Sequence, residues 1–316
     1  MKYYLPLLLA FFFTGMAYSQ QGVHYTQFMF NKLAFNPAYA GSHEVPCISA
    51  IHRSQWVGFD GAPVSQAFNF HTPLFAKRVG MGVSIQHDKI GPTKSFWLNL
   101  SYAYRIKIEK STLSIGLQGS MRSYNVDFSK TESIIQNDVA VLEGNARRIL
   151  PNFGAGVYYL SDLFYAGISA PYIFNNDISL YETAIVDNTD IALEKAHFYA
   201  MAGLRVDMGQ KVKFKPAMLY KQVKNAPVDL EINGTFVFAD RLGVGATYRL
   251  GGIRNSVGES VDFLLYMQFE GGFKIGAAYD LSLSAVRQYQ SGSFEIMVEK
   301  CLKTKDDRLT NPRFFF

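Results

Sequence analysis

The residues of this sequence equipped for chemistry are few and scattered. Cys47 and Cys301 are its two cysteines, too few for a disulfide-stapled scaffold and wrongly spaced for a zinc site. Among six histidines, His87 stands beside Asp88 and invites a search for a hydrolytic triad. Adjacent residues of a strand point to opposite faces, so the pair cannot act as a dyad there. The patterns GxSxG and HExxH are absent, as is any clustered Ser, His and carboxylate motif, so the chain reads as a non-enzyme with no cofactor or metal. Asp60, in "RSQWVGFDGAPVSQAF", lacks the neighbouring carboxylates a calcium loop needs. Its Asp60-Gly61 step is instead a turn signal between two alternating runs, because glycine tolerates the positive φ of a tight turn.

The elements that would hold such a turn follow from composition and periodicity. The 316 residues include 26 Phe and 19 Tyr, yet the mean hydropathy is +0.01. Apolar and polar residues must therefore interleave finely. In "SFWLNLSYAYRIKI", Phe96, Leu98, Leu100, Tyr102, Tyr104, Ile106 and Ile108 share one face, with Trp97, Asn99, Ser101, Ala103, Arg105 and Lys107 on the other. About fourteen such segments recur, beginning near residues 47, 65, 79, 94, 112, 152, 163, 196, 211, 228, 241, 260, 272 and 292, a density expected of an antiparallel barrel. Charges sit opposite the apolar stripe: Arg205, Asp207, Glu231, Arg241, Arg249, Lys274, Asp280, Glu295 and Glu299. Facing lipid, each basic one would cost about 2–4 kcal/mol at the midplane, so they are assigned to a polar lumen. Aromatics near strand ends, namely Tyr158, Tyr159, Phe164, Tyr165, Tyr248 and Tyr266, are placed for interfacial girdles.

Connections alternate between long, polar loops and tight turns such as "IEKS", "LSD", "MGQ", "FADR" and "FEGG". This is the asymmetry between the extracellular and periplasmic ends of an outer-membrane barrel, and it favours one up-and-down barrel over a two-sheet sandwich. If the first strand rises from the periplasm, both termini lie inside. The N-terminus "MKYYLPLLLAFFFTGMAYSQ" has a lysine, a short apolar run and small residues Ala17 and Ser19, the pattern of a signal peptide cut near Ser19/Gln20. The expected division is a signal peptide over 1–19, an N-terminal periplasmic or lumenal segment over 20–46, a barrel over 47–302 and a periplasmic tail over 303–316. The formal charge of +5 comes from dispersed residues without a basic patch, which excludes nucleic acid as a partner.

These features coincide with a family pattern. The chain resembles the PorP/SprF family of outer-membrane proteins linked to type IX secretion and gliding motility. The resemblance rests on "QFMFNKLAFNPAYAG" at 27–41, "RSQWVGFDGAP" at 53–63, "HTPL" at 71–74, "DKIGPT" at 88–93, "PNFGAGVYY" at 151–159, "VKNAPVDLEIN" at 223–233, "GSFEIM" at 292–297 and the terminal "NPRFFF". It implies an outer-membrane protein, surrounded by lipid, that works with type IX components to bring one secreted substrate with a type IX C-terminal domain, often a large adhesin, to the surface or hold it there. On this reading "WVGFDGAP" is the first extracellular loop, turned by Gly58 and Gly61, with Trp56 and Phe59 packing it in preference to forming a sticky surface. The runner-up is a passive pore or solute transporter, since fourteen strands enclose a lumen wide enough for water unless something fills it. Residues 20–46, with Phe28, Met29, Phe30, Phe35 and Tyr39, are a candidate to enter or cover that lumen. Closure pairs the first strand with the last, where counting by twos points Cys47 and Cys301 inward at the same end. In the oxidising periplasm they either bond across the seam or stay apart by the barrel's shear.

Overall fold

The computed structural model describes residues 22–130, 144–178, 193–224, 226–251 and 258–302. The proposed signal peptide and C-terminal tail lie outside them. Fourteen strands form the wall: β1 Cys47–Ser54, β2 Val64–Leu74, β3 Val79–Ile90, β4 Thr93–Ile108, β5 Ser111–Asp127, β6 Asn145–Leu160, β7 Phe164–Tyr172, β8 His197–Leu204, β9 Val212–Val223, β10 Asp229–Phe238, β11 Leu242–Leu250, β12 Ser260–Phe269, β13 Phe273–Ser282 and β14 Ser293–Cys301. Each pairs antiparallel with its neighbours in sequence order, and β1 pairs with β14 over eight residue pairs, so the sheet closes into a barrel. Val206–Asp207 prolongs β8 beyond Arg205, and a small hairpin of Asn176–Asp177 with Leu193–Glu194 stands in the loop after β7.

Period-two alternation builds this wall. On β4, Leu100 is 56% exposed on the outer face while Ala103 is fully buried on the inner one. The outward row Phe96, Leu100, Tyr102, Tyr104 and Ile106 faces away from the lumen, as expected. The girdle expectation holds only where parity allows it. Tyr158, Tyr165 and Tyr266 fall on inward positions and are buried in the lumen, because a one-residue step along a strand reverses the face.

Connections at one end are tight throughout, at 75–78, 109–110, 161–163, 205–211, 239–241 and 270–272. At the other end they are mostly longer, with one exception: β3 and β4 are joined by Gly91 and Pro92 alone. Gly91 supplies the positive φ of 53° that so short a link requires. Arg205, Asp207 and Arg241, assigned to the lumen from alternation, lie instead at tight-turn rims, with Arg241 paired to Glu270 at 2.8 Å. Arg205 interrupts its strand and Arg241 lies in a turn, so strand parity stops predicting orientation there.

Candidate functional site

The lumen is occupied by the chain's own N-terminal segment. Gly22 lies beside His197 and Tyr199 at the long-loop end, and the chain then descends to Cys47 at the tight-turn end. Gly22 and Cys47 thus stand at opposite ends of the barrel, and both chain termini lie outside the described residues. The segment advances by three short helical turns, Phe28–Phe30, Lys32–Phe35 and Pro37–Tyr39. Asn36 starts the third, its side chain accepting from the Ala38 N–H at 2.9 Å with Pro37 at the first position, where a missing N–H is harmless. Tyr25, Phe28, Leu33, Phe35, Ala38 and Tyr39 pack against inward-facing Tyr158, Tyr165, Tyr199, Met201, Leu219 and Met297. Tyr39 meets Tyr158 edge-on at 5.4 Å, and Phe35 meets Tyr199 at 5.4 Å.

The wall is shaped to receive this segment. Gly80, Ala103, Gly116, Gly156 and Ser169 face one another in register across β3 to β7, forming a lane of small residues. The segment lies along it step by step. A methyl group on Gly80 would collide with the Ala40 carbonyl, and one on Gly116 with the Ala38 backbone. Beyond them Asn36 donates to the Val157 carbonyl at 3.0 Å, and the Ser169 hydroxyl donates to the Phe35 carbonyl at 2.7 Å. Glycine inside a strand marks a close backbone approach, which is the one sequence signal that could have located this seat.

At the long-loop end, charge replaces packing. Arg53 on β1 reaches Asp280 at 2.6 Å and Glu295 at 3.5 Å. The Glu295 carboxylate accepts from the backbone N–H groups of Thr26 at 2.9 Å and Gln27 at 2.8 Å, and the Thr26 hydroxyl bridges Arg53 and Asp280. The ladder continues through Arg249, 3.3 Å from Asp262 and 3.6 Å from Glu231, to Lys221, which pairs with Glu231 and lies 3.3 Å from Asp229. His24 of the inserted segment closes it. Its Nδ1 stands 3.2 Å from the Lys221 ammonium and 3.2 Å from an Asp229 carboxylate oxygen. His24, Asp229 and Glu231 have metal-ligand spacing, but the Lys221 ammonium already stands among them.

The residues singled out from sequence are placed at the two ends. Loop 55–63 turns at Gly58 (φ +93°) and Gly61 (φ +74°), and is tied to the last loop by Val57 N–H to Gly292 O at 2.9 Å and Ser291 N–H to Val57 O at 2.8 Å. Trp56 is half-buried and Asp60 exposed. Phe59, expected to pack the loop, is 47% exposed, because these backbone ties already hold the loop without it. Asp88 points inward and accepts from the Ser65 hydroxyl at 2.5 Å, while His87 faces out. At the other end Cys47 and Cys301 are register partners on β1 and β14, joined as a disulfide with Cα atoms 4.1 Å apart. His43 lies 3.0 Å from the Cys47 sulfur, but bonded sulfurs offer no thiolate to a metal.

A scan against protein-family models matches residues 17–299 to "Type IX secretion system membrane protein PorP/SprF". A comparison with curated proteins finds no match. Among solved structures the chain is similar to the Ralstonia pickettii toluene transporter TbuX, with 9% identity, 86% of this chain and 93% of that chain covered, and a TM-score of 0.56. It is also similar to the P. putida toluene transporter TodX, with 11% identity, 88% and 95% coverage and a TM-score of 0.49. At such identity the likeness to TbuX speaks for an outer-membrane barrel fold alone. The family match spans nearly all of the wall and the segment inside it, and the chain belongs to the PorP/SprF family of type IX secretion system membrane proteins.

Proposed function

We propose that this barrel serves type IX secretion and gliding motility by docking one secreted substrate, a large adhesin with a type IX C-terminal domain, so that it reaches or remains on the cell surface. The observation that carries this reading is the filled lumen. A solute pore needs a continuous aqueous path, whereas here residues 22–46 run the length of the barrel, hydrogen-bonded to its wall through Thr26 and Gln27 toward one end, Phe35 along the way and Gly41 toward the other. With the lumen occupied, the loops and rims are the surfaces left for partners, which include other type IX components. An N-terminal signal peptide fits export across the inner membrane to this location.

The competing reading, a passive pore or transporter, draws support from the fold shared with the toluene transporter TbuX. Planar-bilayer recording separates the two. The docking role expects the purified protein to be silent, and a stable open channel would replace it with the pore. In cells, deleting the gene is expected to remove one surface adhesin or motility protein while general secretion continues. Unchanged surface proteomics would count against the docking role.

A further inference from the structure

Among the described residues, Lys32 is a buried cation of the lumen with no carboxylate at ion-pair distance. Lys32 is 2% exposed, and its Nζ makes no hydrogen bond among the described residues. It rests 3.9 Å from the centroid of the Tyr165 ring, which recovers only part of what an ammonium loses on leaving water. Its neighbours are treated differently: Arg53, Arg249, Lys221 and Lys274 each reach a carboxylate within 3.3 Å.

Lys32 borders a partly enclosed cavity of about 40 Å³ between the inserted segment and the wall, shared with Phe30, Lys215, Thr235 and Tyr266. That volume admits a few waters or one small oxyanion group. Two lysines, Lys32 from the segment and Lys215 from the wall, thus line one niche together with Asn233, Thr235 and the rings of Phe30, Tyr165 and Tyr266. The wall residues place it toward the tight-turn end: Lys215, Thr235 and Tyr266 each stand three positions from that end of β9, β10 and β12.

We propose that this niche is an oxyanion-binding site, taking a carboxylate or phosphate group between Lys32 of the inserted segment and Lys215 of the wall. A cation with three donors and no acceptor is completed by such a group. The bound anion would bridge segment and wall, so its binding stabilises the plugged barrel by mass action.

The test uses the full mature protein purified in detergent, with thermal unfolding and calorimetric titration against sodium acetate or sodium phosphate, and sodium chloride at matched ionic strength as control. Saturable stabilisation by an oxyanion is expected, with Kd weakened about tenfold or more in Lys32→Met and in Lys215→Met. A response to acetate alone assigns a carboxylate, and one to phosphate alone a phosphate group. Heat-modifiable migration verifies that each variant folds, and if Lys32→Met does not, Lys215→Met carries the comparison. Absence of saturable binding by either anion, or the same Kd in the variants as in the unaltered protein, overturns the proposal. The readout is independent of the secretion role, so the two readings can fail separately.

Discussion

At the scale of single residues, the lumen is governed by buried charge. Arg53 is 1% exposed and neutralises Asp280 and Glu295 while donating to Thr26. Removing one partner of a buried ion pair leaves the others uncompensated and typically costs 3–5 kcal/mol. Arg53→Met is therefore expected to destabilise the barrel by about 3–5 kcal/mol in urea unfolding. Lys32 carries the opposite liability: its ammonium is buried and makes no hydrogen bond among the described residues. An unpaired buried charge is costly, so in buffer free of phosphate and acetate Lys32→Met is expected to raise the midpoint of urea unfolding, and a lowered midpoint would contradict this.

At the scale of elements, the segment of residues 35–41 and the lane on β3 to β7 are one packing unit. At Gly80 and Gly116 the segment's backbone rests directly on the strands, at Gly156 the Asn36 side chain does, and Ser169 adds a hydrogen bond. Gly116→Val keeps the strand's preferences, since β-branched residues suit sheets, but drives a side chain into Ala38. Overpacking of this kind costs about 1–3 kcal/mol. The expected outcome is a closed barrel with a loosened plug, seen as bursts of conductance in bilayers or as trypsin cleavage at Lys32, neither of which is expected of the unaltered protein.

At the scale of the whole molecule, the disulfide and the backbone from Cys47 to Cys301 close a covalent ring, and the inserted segment begins at that ring. Reducing the bond, or making Cys301→Ser, is expected to lower stability by up to about 5 kcal/mol in denaturant titrations, while the eight residue pairs between β1 and β14 keep the seam shut. The path of the segment carries a topological consequence. Gly22 lies at the end bearing the longer loops, which in outer-membrane barrels faces outward. An epitope placed between the signal-cleavage site and Gly22 is therefore expected to bind antibody on intact cells, whereas one appended to the C-terminus is not.

Alternation along single strands, a local consequence of extended backbone, was enough to read the wall from sequence. Strand starts, strand number and the outward face of β4 all follow from it, and so does the inward placement of Glu231, Arg249, Lys274, Asp280, Glu295 and Glu299. The sixth strand is the instructive miss: it starts at Asn145 and not near 152, because "NARRIL" alternates weakly yet pairs with residues 122–127 of β5. The lumen's contents were legible only as a possibility. "QFMFNKLAFNPAYAG" shows aromatic residues and a turn, but its seat is assembled from Gly80, Gly116 and Gly156, which come from three strands, and its upper end is held by partners such as Asp280, 254 positions from Thr26. No local pattern encodes which end of a closed barrel a tethered segment reaches, or which buried cation is left without a carboxylate. Those depend on contacts between residues that meet only once the strands have closed around them, and the tertiary structure alone decides them.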